Sequence, residues 1–367
     1  FVRRFNDIDH TVPIIYRMAK DGVKGIRVLC LNLQLNIARD SRLVFLEKEY
    51  GITTEYLFAS RRKGFQQHFL VKILKFSLLY RNRINPFSKV VSWYVSLFYG
   101  SYLRRKYYDH DWAVRLIDYH RPSIMIFDWQ RPKAYLIPIL EEAKERHVPL
   151  LLVPHGTNLA TNDLLTNKAV SCGNDQNYGE DWKDFDFACT QFPLHKDRIT
   201  KNGFSKERVK VLGSARFCHE WRNVLEQITP KKKYYHDSGG SVNVIYMDHR
   251  LAYRFHKKAV VESINRLGSL ESINLVVKST TGRTYKSAPS DELGMLTREN
   301  SPGITFAANY PSDSLIEWAD VVICTISSIG IEVLLQNKLL IHPQYFHENT
   351  LLYDEMSACW TVHNYEE

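Results

Sequence analysis

Val321-Val322-Ile323-Cys324-Thr325-Ile326-Ser327-Ser328-Ile329-Gly330-Ile331-Glu332 is the stretch whose reading decides the fold. It opens on a short continuous apolar run rich in β-branched residues, the pattern of a strand covered on both faces in a parallel sheet. A Thr/Ser turn follows, and then apolar residues at helical spacing. Strand, turn and helix N-terminus in that order form half of a βαβ unit. At such a turn backbone N–H groups, the helix dipole and two hydroxyls, those of Ser327 and Ser328, converge, and together they suit a phosphate. Glu332 lies one helical turn beyond Ser328, where it can face the same pocket and accept hydrogen bonds from a ribose. The same residues also read as an ordinary N-cap and a first-turn carboxylate.

The alternation continues on both sides. Downstream of Ser241, strands are expected at Val242–Met247, Ile273–Lys278, Gly303–Phe306, Val321–Cys324 and Leu339–His342, with a last one ending near Val362. Helices are expected at Phe255–Leu267, Ser312–Trp318 and Ser327–Gln336. Upstream, Gly25–Leu31, Thr53–Phe58, Ser123–Phe127, Pro149–Val153, Phe185–Thr190 and Val209–Leu212 read as strands. Helices are expected at Val12–Asp21, from a Ser41 cap to Gly51, and at Asp111–His120, Pro132–His147 and Pro193–Asn202. Phe1–Phe5 reads as a first strand already under way, so further sequence is expected before it, and Asn6–His10 reads as the loop after it. Short strands alternating with amphipathic helices predict an α/β protein of two doubly wound parallel sheets. The polar stretch 221–240, with Lys231-Lys232-Lys233 and Ser238-Gly239-Gly240, reads as a linker between an N-terminal domain, 1–220, and a C-terminal domain, 241–367.

The chain has 367 residues, 44% of them hydrophobic and 24% charged, which excludes a disordered polymer and leaves room for two cores. No apolar run is long enough to span a bilayer. Cys30, Cys172, Cys189, Cys218, Cys324 and Cys359 are scattered without a CxxC pair, which argues against a zinc site and for reduced thiols in a cytosolic protein. The net charge of +9 points to an anionic partner. Residues 61–108 gather Arg and Lys among Phe, Trp and Tyr, with no acidic residue. Such a segment can lie on an anionic membrane surface or pack as ordinary amphipathic helices beside a polyanionic acceptor; the membrane is preferred, so a place at the inner face of the plasma membrane is expected, and no nucleic-acid partner.

Ligands of open parallel sheets bind beyond the carboxyl ends of the strands. That rule selects further candidates. Lys278, Ser279 and Arg283 follow one strand as nucleotide-binding candidates, and Lys278 and Arg283 can neutralise a diphosphate or a sugar carboxylate. Arg250 follows another and is a phosphate partner. His155, after Pro149–Val153 and before Gly156, can approach a substrate closely and transfer a proton near neutrality, or it can simply cap a turn. Asp9 and His10 follow the first strand. Either can be a catalytic base, or Asp9 can cap the next helix. Asp7-x-Asp9 and Asp184-x-Asp186 are too sparse in ligands for a cation site, and no metal is expected.

The string SDSLIEWADVVICTISSIGIEVLLQNKLLIHPQ resembles the nucleotide-binding half of GT-B glycosyltransferases, an architecture shared with non-hydrolysing sugar-nucleotide epimerases and teichoic-acid glycerophosphotransferases. In place of a "GKPVI"-like segment this chain has Asn337-Lys338-Leu339-Leu340-Ile341, without the Gly and Pro. Pro154-His155-Gly156-Thr157 is similar to the "HGT" segment of the glycerophosphotransferases, whose His is the proposed base. The "HP" pair that this family and the bacterial polysialyltransferases carry is absent, and Lys278 to Arg283 stand at the equivalent strand end. Gly213-Ser214-Ala215-Arg216 is similar to the segment that ends the first GT-B domain, which puts Ser214 and Arg216 beside the interdomain cleft. The resemblance implies a metal-independent bacterial transferase of surface polysaccharide synthesis (capsule or lipopolysaccharide) with no cofactor beyond its substrates. These would be a nucleotide sugar, CMP- or CDP-linked and Kdo-like in preference to UDP-linked, and a glycan or lipid-linked acceptor. UDP-sugar 2-epimerisation and glycerophosphate transfer are the alternatives.

Overall fold

The computed structural model describes residues 1–3, 5–32, 37–59, 108–128, 135–154, 159–162, 182–229, 242–248, 255–278, 304–307 and 310–367. The chain divides into two compact units, 1–156 with 176–229 and 157–175 with 230–367. The return of 157–175 to the second unit leaves no mark in the alternation of strands and helices. Its described residues 159–162 pair with 348–352: Ala160 bridges Leu351, and Thr161 N–H donates to the Thr350 carbonyl at 2.7 Å.

In the first unit, an extended segment 1–3 lies between two sets of strands. On one side Val2 bridges Cys30 in β1 (Val28–Cys30), which pairs in parallel with β2 (Thr54–Tyr56). On the other side the Phe1 nitrogen bonds the Ile126 carbonyl of β3 (Met125–Asp128) at 2.7 Å. From β3 the parallel order continues through β4 (Leu150–Val153), β5 (Phe187–Thr190) and β6 (Val209–Val211). The chain thus leaves segment 1–3 toward one edge and resumes at β3 toward the other, which is a topological switch point.

Helix α1 spans Phe5–Lys20, so it begins well before the expected Val12. The stretch Asn6–His10, expected as a loop, forms its first turns. Ile8, Val12, Ile15 and Tyr16 recur at helical spacing and are all buried. Their burial outweighs Pro13, which lacks the N–H owed to the Asp9 carbonyl. The stripe packs on α2 (Ser41–Tyr50) and α6 (His219–Ile228) through Leu43, Leu46 and Trp221. Helix α2 is capped by Asp40, not by the expected Ser41: the Asp40 carboxylate accepts from the N–H groups of Arg42 and Leu43. The polar run read as a linker from 221 thus begins inside α6. Trp221, fully buried, with Val224, Leu225 and Ile228 on the same face, ties that helix to the first unit. Helices α3 (His110–His120), α4 (Ile137–Glu145) and α5 (Pro193–Lys201) also belong to the unit, with Trp112, Leu116, Ile139 and Ile199 in its larger core cluster.

The second unit is one sheet of six parallel strands, β7 (Val242–Met247), β8 (Ile273–Lys278), β9 (Ile304–Phe306), β10 (Val321–Ile323), β11 (Leu339–Pro343) and β12 (Trp360–Val362). Their spatial order is β12-β11-β10-β7-β8-β9. Among the described residues four helices accompany them: α7 (Lys257–Gly268), α8 (Ser312–Trp318), α9 (Ile329–Leu335) and the short α10 (Leu352–Glu355). Val244, Tyr246, Leu275, Val277 and Ile323 face one core cluster with Val260 and Ile264 of α7. Ile245, Val276 and Val322, one residue out of phase, are buried as well. The expected strands and helices of this unit fall within a few residues of the observed ones. In both units the parallel sheet is of the doubly wound type.

Candidate functional site

In the second unit, the chain runs from β7 to β8 and β9 on one side, then crosses to β10 on the other. β7 and β10 are direct neighbours, with Val244, Ile245 and Tyr246 opposite Val321, Val322 and Ile323. The crevice of a doubly wound sheet opens where two adjacent strands send the chain in opposite directions. The Ser327–Ser328 turn leaves β10 at that point.

The geometry of the turn separates the two serines. Ser327 is used internally: its Oγ accepts from Ile329 N–H at 3.3 Å, and its carbonyl accepts from Gly330 N–H at 3.2 Å and from the Tyr353 hydroxyl at 2.7 Å. The Ser327 N–H donates to the Thr325 carbonyl, and the Ile331 N–H to the Ser328 carbonyl. Among the described residues, the Ser328 N–H meets no acceptor inside the turn, and the Ser328 hydroxyl makes no capping bond. Both serines and Glu332 are half-buried. Glu332 lies close enough to Cys324 and Tyr353 to add to the upward displacement of both acids, which burial dominates; Cys324 is pushed up to about 12.

Lys278 ends β8, in register with Met247 of β7, and its carbonyl accepts from Asp248 N–H at 2.9 Å. It is a buried cation, and the loss of water around it lowers its pKa. Arg250, Ser279 and Arg283 lie outside the described residues, as does His155 in the first unit. So does the basic aromatic segment apart from Tyr108.

In the first unit, four sequence candidates come together near the start of α1. Asp9 pairs closely with Arg42 and lies 3.9 Å from Arg216. Arg42 is also bound by both carboxylate oxygens of Asp40, at 2.9 and 2.6 Å. His10 Nδ1 receives the side-chain N–H of Gln191 at 3.3 Å, and the same nitrogen reaches Ser214 Oγ at 3.4 Å. The amide nitrogen can only donate, so Nδ1 of a neutral His10 carries the lone pair and Nε2 the proton. Behind this group Arg3 and Asp128 form a buried pair at 2.6 Å at the switch point, and Asp7 accepts from Arg3 N–H at 2.6 Å. Gln191, Arg42 and Asp40 were not legible as site residues. The only hint was that Gln191 directly follows a strand.

Asp184 and Asp186 have partners within the first unit. Asp184 pairs with Lys144, and Asp186 accepts from Leu150 N–H. His342, Asp354 and Cys359 offer ligand atoms within 4.8 Å of one another. Asp354 already accepts from His342 and from Thr361, and burial lifts the Cys359 thiol to about 11.

No family model and no curated protein matches this chain. Solved structures do. A UDP-GlcNAc 2-epimerase from Neisseria meningitidis bound to UDP-GlcNAc is 12% identical with a TM-score of 0.52, covering 97% of this chain and 84% of that one. The UDP-GlcNAc 2-epimerase of Methanocaldococcus jannaschii is 11% identical, TM-score 0.53, over 100% and 88% of the two chains. Anabaena HepE in complex with UDP and glucose is 9% identical, TM-score 0.53, over 99% and 83%. At these identities the likeness is one of fold: two Rossmann-like units, the GT-B architecture.

Proposed function

We propose that this chain is a nucleotide-sugar enzyme that transfers the sugar to a hydroxyl of a glycan or lipid-linked acceptor. The observation that carries the reading is the placement of the Ser327–Ser328 turn at the switch point of the second sheet, beside β7 and its strand-end residues. The second unit then holds the nucleotide. Ser328 N–H and hydroxyl bind a phosphate oxygen, Lys278, Arg250 and Arg283 balance the charge that develops on the leaving group, and Ser279 donates a hydrogen bond to it. Glu332 takes the ribose hydroxyls. The first unit holds the acceptor. Asp9 is committed to two arginines and the Nε2 of His10 carries its proton, so the base that takes the acceptor proton is His155, while His10 donates a hydrogen bond to a substrate oxygen.

CMP- and CDP-linked donors fit the basic strand ends. UDP enters on the strength of the fold neighbours, whose ligands are UDP and UDP-GlcNAc. Those neighbours also support a second reading, epimerisation of a UDP-sugar without an acceptor. The basic aromatic segment 61–108, suited to an anionic membrane surface, favours transfer.

A thermal-shift panel with CMP, CDP, UDP and their sugars tests the nucleotide site. At least one should stabilise the parent. Ser328→Ala and Lys278→Met should each weaken that ligand roughly tenfold to a hundredfold, the range for a hydrogen bond to a charged group. Ser327→Ala should weaken it less, because its hydroxyl serves the turn. No stabilisation by any of them would overturn the proposal, and epimerisation of a UDP-sugar in the absence of acceptor would replace transfer by the second reading.

A further inference from the structure

We infer that Tyr353, seated against Gly330, is the positioning residue of the phosphate subsite: it holds the Ser327–Ser328 turn in the one arrangement that leaves the Ser328 N–H and hydroxyl for a ligand. The inference rests on the reading of that turn as the phosphate subsite.

Two contacts define the seat. The Tyr353 hydroxyl donates to the Ser327 carbonyl at 2.7 Å, the same carbonyl that receives Gly330 N–H. A Cβ on residue 330 would lie 2.7 Å from the Tyr353 hydroxyl oxygen and 2.8 Å from Cζ, closer than any Cβ sits to such atoms. The missing side chain of Gly330 is therefore the space the tyrosine occupies. Tyr353 is buried, and its phenol is kept protonated because burial, aided by Cys324, holds its pKa well above the ordinary value. It is a donor at any working pH.

The tyrosine is in turn fixed by its neighbour. Asp354 Oδ1 accepts from His342 Nδ1 at 2.7 Å and from the Thr361 hydroxyl at 2.5 Å, and Oδ2 accepts from Leu351 N–H at 2.9 Å. His342 and His347 meet through their Nε2 atoms at 3.1 Å, and His347 Nδ1 receives Asn349 N–H at 3.1 Å. These bonds have one consistent proton arrangement. Asn349 N–H requires a lone pair on His347 Nδ1, so His347 carries its proton on Nε2 and gives it to His342. His342 then donates from Nδ1 to Asp354. Every donor meets an acceptor, and the short α10 is thereby tied to β11 and β12. A helix of this length has little stability of its own. The network is what makes Tyr353 a fixed post against which the turn is set.

The test measures the affinity of UDP, CDP and CMP, and of uridine and cytidine, by titration calorimetry on the parent, Tyr353→Phe, Gly330→Ala, Ser328→Ala and, as a control remote from the turn, Tyr345→Phe. Tyr353→Phe keeps the ring and loses one hydrogen bond, so it should weaken the best nucleotide about fivefold to tenfold. Gly330→Ala, which displaces the ring, should weaken it more. Both should leave nucleoside affinity within about twofold, since only the phosphate contacts move, and Tyr345→Phe should bind as the parent does. If Ser328→Ala loses nucleotide affinity while Tyr353→Phe keeps it, the subsite stands and the positioning role is overturned. If Tyr353→Phe weakens nucleosides as much as nucleotides, the effect is general loosening and the positioning role is again overturned. If Ser328→Ala binds every nucleotide as the parent does, the subsite itself is wrong and this inference falls with it.

Discussion

The carboxyl edges of the two sheets are built from different materials. In the first unit the edge carries full charges, and they are paired: Arg3 with Asp128, and Arg42 with Asp40 and Asp9, with Arg216 close by. In the second unit the Ser327–Ser328 turn offers an amide and a hydroxyl, set by a tyrosine and a glycine, with one buried lysine two strands away from β10. Paired charges in a dry setting have fixed orientations and little capacity for a further anion, because a new charge must displace a partner. Fixed N–H and O–H groups accept an anion without rearrangement. On the function proposed above, the first edge would orient a neutral hydroxyl and the second would receive a phosphate.

The largest expected effect breaks the first edge. Arg3 and Asp128 are 7% and 1% exposed, so Asp128→Ala takes the paired carboxylate away from a buried guanidinium. Removing one partner of such a pair costs about 3–5 kcal/mol. Urea unfolding of the parent and variant measures it. The loss should appear in the unfolding of the first unit, whereas nucleotide affinity, if it belongs to the second unit, should be unchanged. A loss under 1 kcal/mol would mean that water reaches the pair and that this edge is open to exchange.

The second edge has its own charge dependence, through Asp354. Burial acts to raise its pKa, but hydrogen bonds from His342 and Thr361 prevail and hold it at about 2, below the ordinary 3.8 of an aspartate. A carboxylate depressed in the folded state adds stability above its unfolded pKa, and that stability is lost as pH falls through the folded value. Between pH 4 and pH 2 the second unit should lose about 2 kcal/mol from this residue. Asp354→Asn should flatten that part of the acid profile and lower stability near neutrality, since one amide N–H then faces Leu351 N–H. A profile with the same acid limb in both proteins would assign the limb to other carboxylates.

How far each edge was legible follows from the range of its contacts. In the second unit the strands are short apolar runs bounded by turn residues, so Val242–Met247, Ile273–Lys278 and Ser312–Trp318 stand in the structure with the bounds read from the chain. The Ser327–Ser328 turn is local, and it too was legible. The start of the first helix was not: Asn6, Asp7 and Asp9 carry loop signals, and only the gathering of Ile8, Val12, Ile15 and Tyr16 in one cluster with Trp221, some two hundred positions away, overrides them. Gln191 on His10 and Arg42 on Asp9 are likewise contacts across |i−j| of 181 and 33, which no spacing rule anticipates. Tyr353 left one trace, at a distance. Gly330 sits inside a helix, where glycine costs about 1 kcal/mol relative to alanine, and a glycine kept there has a packing reason.

That trace separates two glycines, one from each unit, and gives the smallest effect. Gly51 ends α2 at φ 65°, and a Cβ there would meet nothing within 4 Å. It is glycine for its backbone conformation; Gly330 is glycine for the room its absent side chain leaves. Gly51→Ala should cost about 1 kcal/mol, the strain of a left-handed alanine. Gly51→Asn should cost less, because asparagine tolerates that region. Neither should touch nucleotide binding. At position 330 the order of sensitivity is reversed: alanine is a better helix former than glycine, so backbone preference alone would raise stability, and any loss of nucleotide affinity in Gly330→Ala reports the displaced tyrosine. Thermal unfolding with and without nucleotide, run on both alanine variants, distinguishes the two. If Gly51→Ala impaired nucleotide binding as much as Gly330→Ala, the loss would come from general destabilisation, and the space kept for Tyr353 would carry no functional meaning.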